Sequence, residues 1–279
     1  MDSGGRGDDG EGAAFGIKST QIFAGEANFD TKKAERDITI AKGSSQTGDF
    51  VKGKKSGKGT ITFADGGKYD GDFHEDALTG KGVLRFANGS VYEGDFLDGV
   101  PSGVGVMSFA DGSSYDGAFV DGKFDGKGTF RHANGSVYDG FFVDNKKSGF
   151  GKYKHFSGAH YEGGYLDGKN SGHGVYHYAD TSIYEGEFVD GKKSGKGVYR
   201  LANGEVYDGH FLNDQYDGSG VYKFLNGDIY EGYYSKGKKS GAGTYHLSSG
   251  VDVKTVFLDG HNVSVALNDK CDCFSFFRL

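Results

Sequence analysis

Tyr184-Glu185-Gly186-Glu187-Phe188, followed by Gly195-Lys196-Gly197, decides the fold, because the pattern returns 23 residues away in either direction. Tyr-x-Gly-x-Phe/Tyr begins at Tyr69, Tyr92, Tyr115, Tyr138, Tyr161, Tyr184, Tyr207 and Tyr230 without an insertion or deletion. Gly-x-Gly keeps the same beat at Gly57, Gly80, Gly103, Gly126, Gly149, Gly172, Gly195, Gly218 and Gly241. A fixed period of this length marks a repeat architecture, in which a unit buries its apolar face only against its neighbours.

Within a unit the alternation is that of strands. Tyr92, Gly94 and Phe96 share one face, and Val91, Glu93, Asp95 and Leu97 the other. In the second half Gly103, Gly105, Met107 and Phe109 share a face, matching Gly195, Gly197, Tyr199 and Leu201. Glycine in both strands leaves room for a ring to lie on bare backbone. Asn88-Gly89, Asn134-Gly135, Asn203-Gly204 and Asn226-Gly227 read as tight hairpin turns, and Asp190-Gly191-Lys192-Lys193-Ser194 as a longer loop at the opposite end. On the second face Glu93 and Asp95 oppose Lys81, Val83 and Arg85, which predicts cross-strand ion pairs. The expected fold is all-β: an elongated, twisted, single-layer antiparallel meander of about nine to ten β-hairpin repeats. With about 18–20 strands at roughly 4.8 Å spacing, the sheet would run about 90 Å before twist and curl.

Composition agrees with order rather than low complexity: 52 glycines recur at fixed places among 23 phenylalanines and 18 tyrosines. A net charge of −7 gives no support to nucleic-acid binding. Two cysteines make no disulfide framework, which suggests an intracellular, cytoplasmic setting. No apolar run approaches a membrane span, and Met1 to Gly12 lacks the apolar centre of a signal peptide.

The expected organisation is a flexible Gly/Asp-rich tail over 1–18, a degenerate amino-terminal cap repeat over 19–45, and the array proper over 46–250. A degenerate closing cap over 251–268 and an aromatic and cysteine tail over 269–279 follow. The amino-terminal cap keeps Phe23-Ala24-Gly25 in phase with Gln46-Thr47-Gly48-Asp49-Phe50, but Ala34 and Arg36 stand where the two glycines belong. The closing cap keeps Phe257 and replaces Gly-x-Gly by Ser264-Val265-Ala266.

These residues resemble MORN (membrane occupation and recognition nexus) repeats, strongly over 46–250 and weakly over 19–45 and 251–268. The resemblance implies a twisted sheet of hairpins and non-catalytic work as an intracellular scaffold or adaptor for a protein partner, at a membrane or cytoskeletal structure. It leaves open a lipid-binding module and a regulatory subunit of a separate lipid kinase or methyltransferase. No nucleophile–base pair, nucleotide loop or paired-carboxylate arrangement stands outside the repeat, so neither an enzyme nor a cofactor is expected.

Four sets of residues are candidates for function. The core motifs, such as Tyr69, Gly71 and Phe73, Tyr92, Gly94 and Phe96, or Tyr184, Gly186 and Phe188, are read as structure. A groove for a helix or extended peptide is expected where units differ: Phe130, His132, Tyr153, His155, Tyr176, Tyr178, Tyr199, Tyr222 and Phe224. Lys54 and Lys55, Lys146 and Lys147, Lys192 and Lys193, and Lys238 and Lys239 recur in the expected loop and form either an anionic-lipid-binding edge or an ordinary solvated one. His160, His173 and His177 are expected on one face, as surface histidines rather than a metal site. Cys271 and Cys273, beside Phe274, Phe276 and Phe277, are acylation candidates, the alternative being a tail that covers the last sheet edge. Homodimerisation through exposed edges is a further expectation.

Overall fold

The computed structural model describes residues 44–264, and all of its elements are strands. The amino-terminal tail and nearly all of the first cap, the end of the closing cap, and the tail with Cys271 and Cys273 lie outside the described residues. Twenty antiparallel strands make one open sheet. They are β1 (Ser45–Val51), β2 (Lys54–Thr62), β3 (Lys68–His74), β4 (Ala77–Arg85), β5 (Val91–Leu97), β6 (Val100–Ser108), β7 (Ser114–Val120), β8 (Lys123–Arg131), β9 (Val137–Val143) and β10 (Lys146–Lys154). They continue as β11 (His160–Leu166), β12 (Lys169–His177), β13 (Ile183–Val189), β14 (Lys192–Arg200), β15 (Val206–Leu212), β16 (Gln215–Lys223), β17 (Ile229–Ser235), β18 (Lys238–His246), β19 (Asp252–Leu258) and β20 (His261–Asn262). The chain divides into two compact units, 1–156 with Tyr165–Lys169, and Ser157–Gly164 with Asn170–Leu279.

The stretch that opens the repeat shows how a unit is made. β13 pairs with β14 so that Gly186 faces Gly197 and Tyr184 faces Tyr199. The Tyr184 ring lies over this glycine pair, and a Cβ at Gly197 would stand 2.5 Å from its hydroxyl oxygen. The hydroxyl donates to the Glu187 carbonyl at 3.0 Å, closing the side chain onto its own hairpin. Gly195 has a different task. Its φ of 63° belongs to the bulge between Gly186 and Phe188, where a residue with Cβ would be strained. Glycine in both strands, Gly186 and Gly197, therefore makes room for the ring as expected, while Gly195 serves the bulge instead.

Phenylalanine ties one hairpin to the next. Tyr184 meets Phe188 edge-on at 5.1 Å and Phe211 of the following repeat at 5.0 Å. In the first unit Tyr92 does the same with Phe96 at 5.1 Å and Phe119 at 4.9 Å. Each edge-to-face pair adds about 0.5–1.5 kcal/mol beyond burial, and the column repeats along each unit.

The turns are the reverse of the sequence expectation. Val189 faces Lys192, so Asp190-Gly191 alone makes the tight turn, with φ of 50° and 82°. The Asn-Gly pairs sit in wider five-residue connections: the Phe86 N–H donates to the Ser90 carbonyl and the Gly89 N–H to the Phe86 carbonyl. Only the glycine there needs positive φ, while Asn88 caps the turn by accepting from the Ser90 N–H at 2.9 Å. On the second face the expected ion pairs are present, Lys58 to Asp72 and Lys81 to Asp95, both at 2.7 Å.

Candidate partner-binding face

Counting each repeat from its tyrosine as position 0, three further positions turn toward the tyrosine face. They are +9, +15 and +17, and they vary from repeat to repeat. Position +15 follows from register, since it lies opposite the tyrosine across the hairpin, as Tyr199 does from Tyr184. Position +9 lies opposite the buried phenylalanine: Phe188 faces Lys193, and Phe119 faces Phe124. The next turn fixes its backbone, for the Lys193 carbonyl accepts from the Asp214 N–H at 3.0 Å and its N–H donates to Asp214 Oδ1 at 2.8 Å.

In the first unit these positions are mostly closed. Ile61, Leu84, Met107 and Phe130 at +15, and Leu78, Pro101 and Phe124 at +9, are buried. Phe124 stacks on Tyr115 at 3.8 Å. Phe130, expected in the groove, is a core residue. Its ring lies 4.7 Å from the half-buried His132, whose pKa is pushed down by burial and then by the charge of Lys147. Tyr153 stands 6.0 Å from His132 and 6.4 Å from the half-buried His155.

In the second unit the same positions are half-buried and tyrosine-rich: Tyr176, Tyr199, Tyr222 and Tyr245 at +15. Tyr178 at +17 joins Tyr176 at 4.4 Å to Tyr199 at 5.9 Å, and Phe224 joins Tyr222 at 4.7 Å to Tyr245 at 6.2 Å. Tyr216 at +9 stacks on Tyr207 at 3.8 Å. The structure therefore brings Tyr176, Tyr178, Tyr199, Tyr222 and Phe224 onto one surface. Tyr216 and Tyr245 belong there too, and the sequence reading missed them although they share the phase of residues it named.

The lysine pairs are not in a loop. Lys54, Lys146, Lys192 and Lys238 open their strands and are exposed, and two of them meet acids on the next turn, Lys54 with Glu75 at 3.4 Å and Lys146 with Asp167 at 2.9 Å. The second lysine of each pair points the other way, among the rings. Lys55 is 1% exposed and donates to the Thr60 carbonyl at 2.8 Å. The Lys147 ammonium sits 4.3 Å from the Tyr153 ring centroid and 5.1 Å from that of Tyr138, and burial pushes its pKa down to about 8. Lys193 lies 4.6 Å from Tyr199, and Lys239 lies 4.5 Å from Tyr230 and 4.6 Å from Tyr245. Only the outer lysines remain at the edge where all eight were expected.

His160 and His177 stack at 4.2 Å on the opposite face, with His173 paired across to Glu187. Among the described residues no group of three or more His, Cys, Asp or Glu has metal-site geometry.

A family model described as the MORN repeat matches nine consecutive segments, 47–68, 69–91, 92–114, 115–137, 138–159, 161–183, 184–206, 207–229 and 230–251. No curated protein matches the chain. Among solved structures, the chain is similar to the TCP10 domain of Danio rerio CPAP in complex with a peptide of Danio rerio STIL, at 12% identity and a TM-score of 0.42, covering 76% of this chain and 100% of that one. The same domain without the peptide gives 12% identity and a TM-score of 0.40, covering 71% and 93%. A catalytically inactive virginiamycin B lyase from Staphylococcus aureus gives 9% identity and a TM-score of 0.16, covering 78% and 76%.

Proposed function

The chain belongs to the MORN repeat family, and from that premise we propose that it is a non-catalytic, cytoplasmic scaffold or adaptor whose protein partner lies along the tyrosine face of the second unit. One observation carries this reading. Tyr176, Tyr199, Tyr222 and Tyr245 are half-buried where the equivalent residues of the first unit, from Ile61 to Phe130, are closed over. Tyrosine offers large, stiff, amphipathic contact area at small entropic cost, so a row of half-open tyrosines suits recognition more than packing. The test is to replace Tyr176 and Tyr199 together by Ala and to follow cross-linking to the native partner in cells. Partner capture is expected to fall at least tenfold while hydrogen exchange in the first unit stays unchanged. Unaltered capture would sink the reading.

A second reading, attachment to anionic lipid, is favoured by the tight-turn edge of the second unit. There exposed Val189 faces exposed Lys192 across the turn, and Leu212 and Leu258 are exposed at the equivalent positions. Flotation with phosphoinositide vesicles at physiological salt tests it. Retention by Lys192→Glu/Lys238→Glu equal to that of the unaltered protein would remove it.

A further inference from the structure

Resting on the partner-binding reading above, we propose that the tyrosine face of the second unit receives an extended acidic segment of its partner, with two carboxylates reaching Lys193 and Lys239. Both ammonium groups are held among rings. Lys193 lies 5.5 Å from Tyr178 and 4.6 Å from Tyr199, and Lys239 lies 5.1 Å from Phe224 and 4.6 Å from Tyr245, to whose hydroxyl it also donates a hydrogen bond. Ring faces attract a cation but replace only part of its hydration, so an ammonium in such a box gains from an anion. Neither lysine forms an ion pair among the described residues. Asp214 acts on Lys193 electrostatically, but its Oδ1 takes the Lys193 backbone N–H at 2.8 Å. In the first unit, by contrast, Lys55 at the equivalent position satisfies its ammonium on the Thr60 carbonyl.

The spacing makes the proposal specific. Two repeats separate the lysines, four strands at about 4.8 Å, so the ammonium groups stand roughly 19 Å apart along the face. An extended chain rises about 3.3 Å per residue, which places the two acids about six residues apart and on the same side. Between them, on β16, lie Tyr216, stacked on Tyr207, and the half-buried Tyr222. The protein's net charge of −7 opposes unspecific attraction of an acidic chain, so the rings supply the surface and the two lysines select what lies on it.

The probe is a fluorescein-labelled peptide of about fourteen Gly, Ser and Tyr residues with two Glu six apart, titrated by anisotropy against the full chain. Control peptides carry Gln at both places, or the two Glu three apart. The six-apart Glu peptide is expected to bind about tenfold tighter than either control. Lys193→Leu/Lys239→Leu should erase that preference, and Lys192→Leu/Lys238→Leu should keep it. Leucine occupies the equivalent position at Leu78, and hydrogen exchange of the second unit verifies folding. Equal binding of Glu and Gln peptides, or a preference that survives Lys193→Leu/Lys239→Leu, overturns the proposal. If all three peptides bind alike and all are lost on Tyr199→Ala, the tyrosine face stands and the acidic partner falls. If none binds, and cross-linking of the native partner is indifferent to Tyr176 and Tyr199, both readings fall together.

Discussion

The first and second units share their tyrosine and phenylalanine columns and part company at two other positions. At +15 the first unit carries Ile61, Leu84, Met107 and Phe130, all buried, and the second carries Tyr176, Tyr199, Tyr222 and Tyr245, all half-buried. At +9 the first has Leu78, Pro101 and Phe124 after Lys55, and the second Asn170, Lys193, Tyr216 and Lys239. Tyr153 and Lys147, late in the first unit, already have the second character. A hairpin held by its own tyrosine and its neighbour's phenylalanine does not require one particular side chain at these two positions. They are therefore free to set the chemistry of the face: closed and apolar in one unit, open and tyrosine-lysine in the other.

Four measurements sharpen or break this comparison. The largest effect is expected where the units are alike. Tyr92→Ala and Tyr184→Ala should each cost about 3–5 kcal/mol locally, because each removes a fully buried ring and its hydroxyl bond. Native-state hydrogen exchange reads this repeat by repeat, and a gap of more than about 2 kcal/mol between the two would break the notion of a common frame. Next comes the divergent position: Met107→Ala should cost about 2–5 kcal/mol and Tyr199→Ala about 1 kcal/mol, so equal costs would erase the distinction.

Third is a pH dependence. Lys147 is lowered from 10.5 to about 8 by burial, so the fold prefers its neutral form. Its penalty is fully present below about pH 8 and is relieved as pH rises toward 10.5, at most about 3 kcal/mol. Buried tyrosines such as Tyr138, whose pKa is raised by burial, act oppositely once unfolded tyrosine ionises above 10. The window is therefore pH 8 to 9.5, where the first unit should gain stability and Lys147→Leu should not. The smallest effect lies on the other face. Lys81 holds the Asp95 carboxyl below its ordinary 3.8, a contribution present above that value and lost as pH falls through the folded pKa. Asp95→Asn should cost about 0.2–1 kcal/mol at neutral pH in an equilibrium melt. In the second unit Lys196 faces His210, Ser219 faces Tyr233 and Ala242 faces Val256, so none of these three pairs has a lysine–carboxylate contact to lose.

Much of this frame was legible from residues alone, because the strand alternation and the 23-residue beat reinforce each other: Tyr92, Gly94 and Phe96 fall on the buried face as expected. The turns were not legible. Asn88-Gly89 and Asp98-Gly99 both suit positive φ, and only register shows that Leu97 faces Val100 with two residues between. The inner lysines were misplaced for a related reason. Lys192-Lys193-Ser194 is polar enough to look like loop, yet Lys193 shares the phase of Leu78, Phe124 and Tyr216, and that alignment signals an inward residue. The missed Tyr245 and Tyr216 carried the same signal.

The tyrosine–phenylalanine column also governs how such a chain can change length. Seven tyrosines, from Tyr69 to Tyr207, bond within their own hairpin, Tyr230 being the exception, and each ring meets the phenylalanine or tyrosine of the following repeat, so junctions within a unit present the same two faces. Excising 23 residues between equivalent points, for example from the residue after Tyr92 through Tyr115, would put the Tyr92 ring in the place of Tyr115, against Phe119 of its new hairpin, a pairing that Tyr115 makes at 5.2 Å. Excising 22 or 24 would turn every following side chain to the wrong face. Growth and shrinkage by duplication therefore proceed in whole repeats without new packing, while the +9 and +15 residues carried by each copy redraw the surface offered outside.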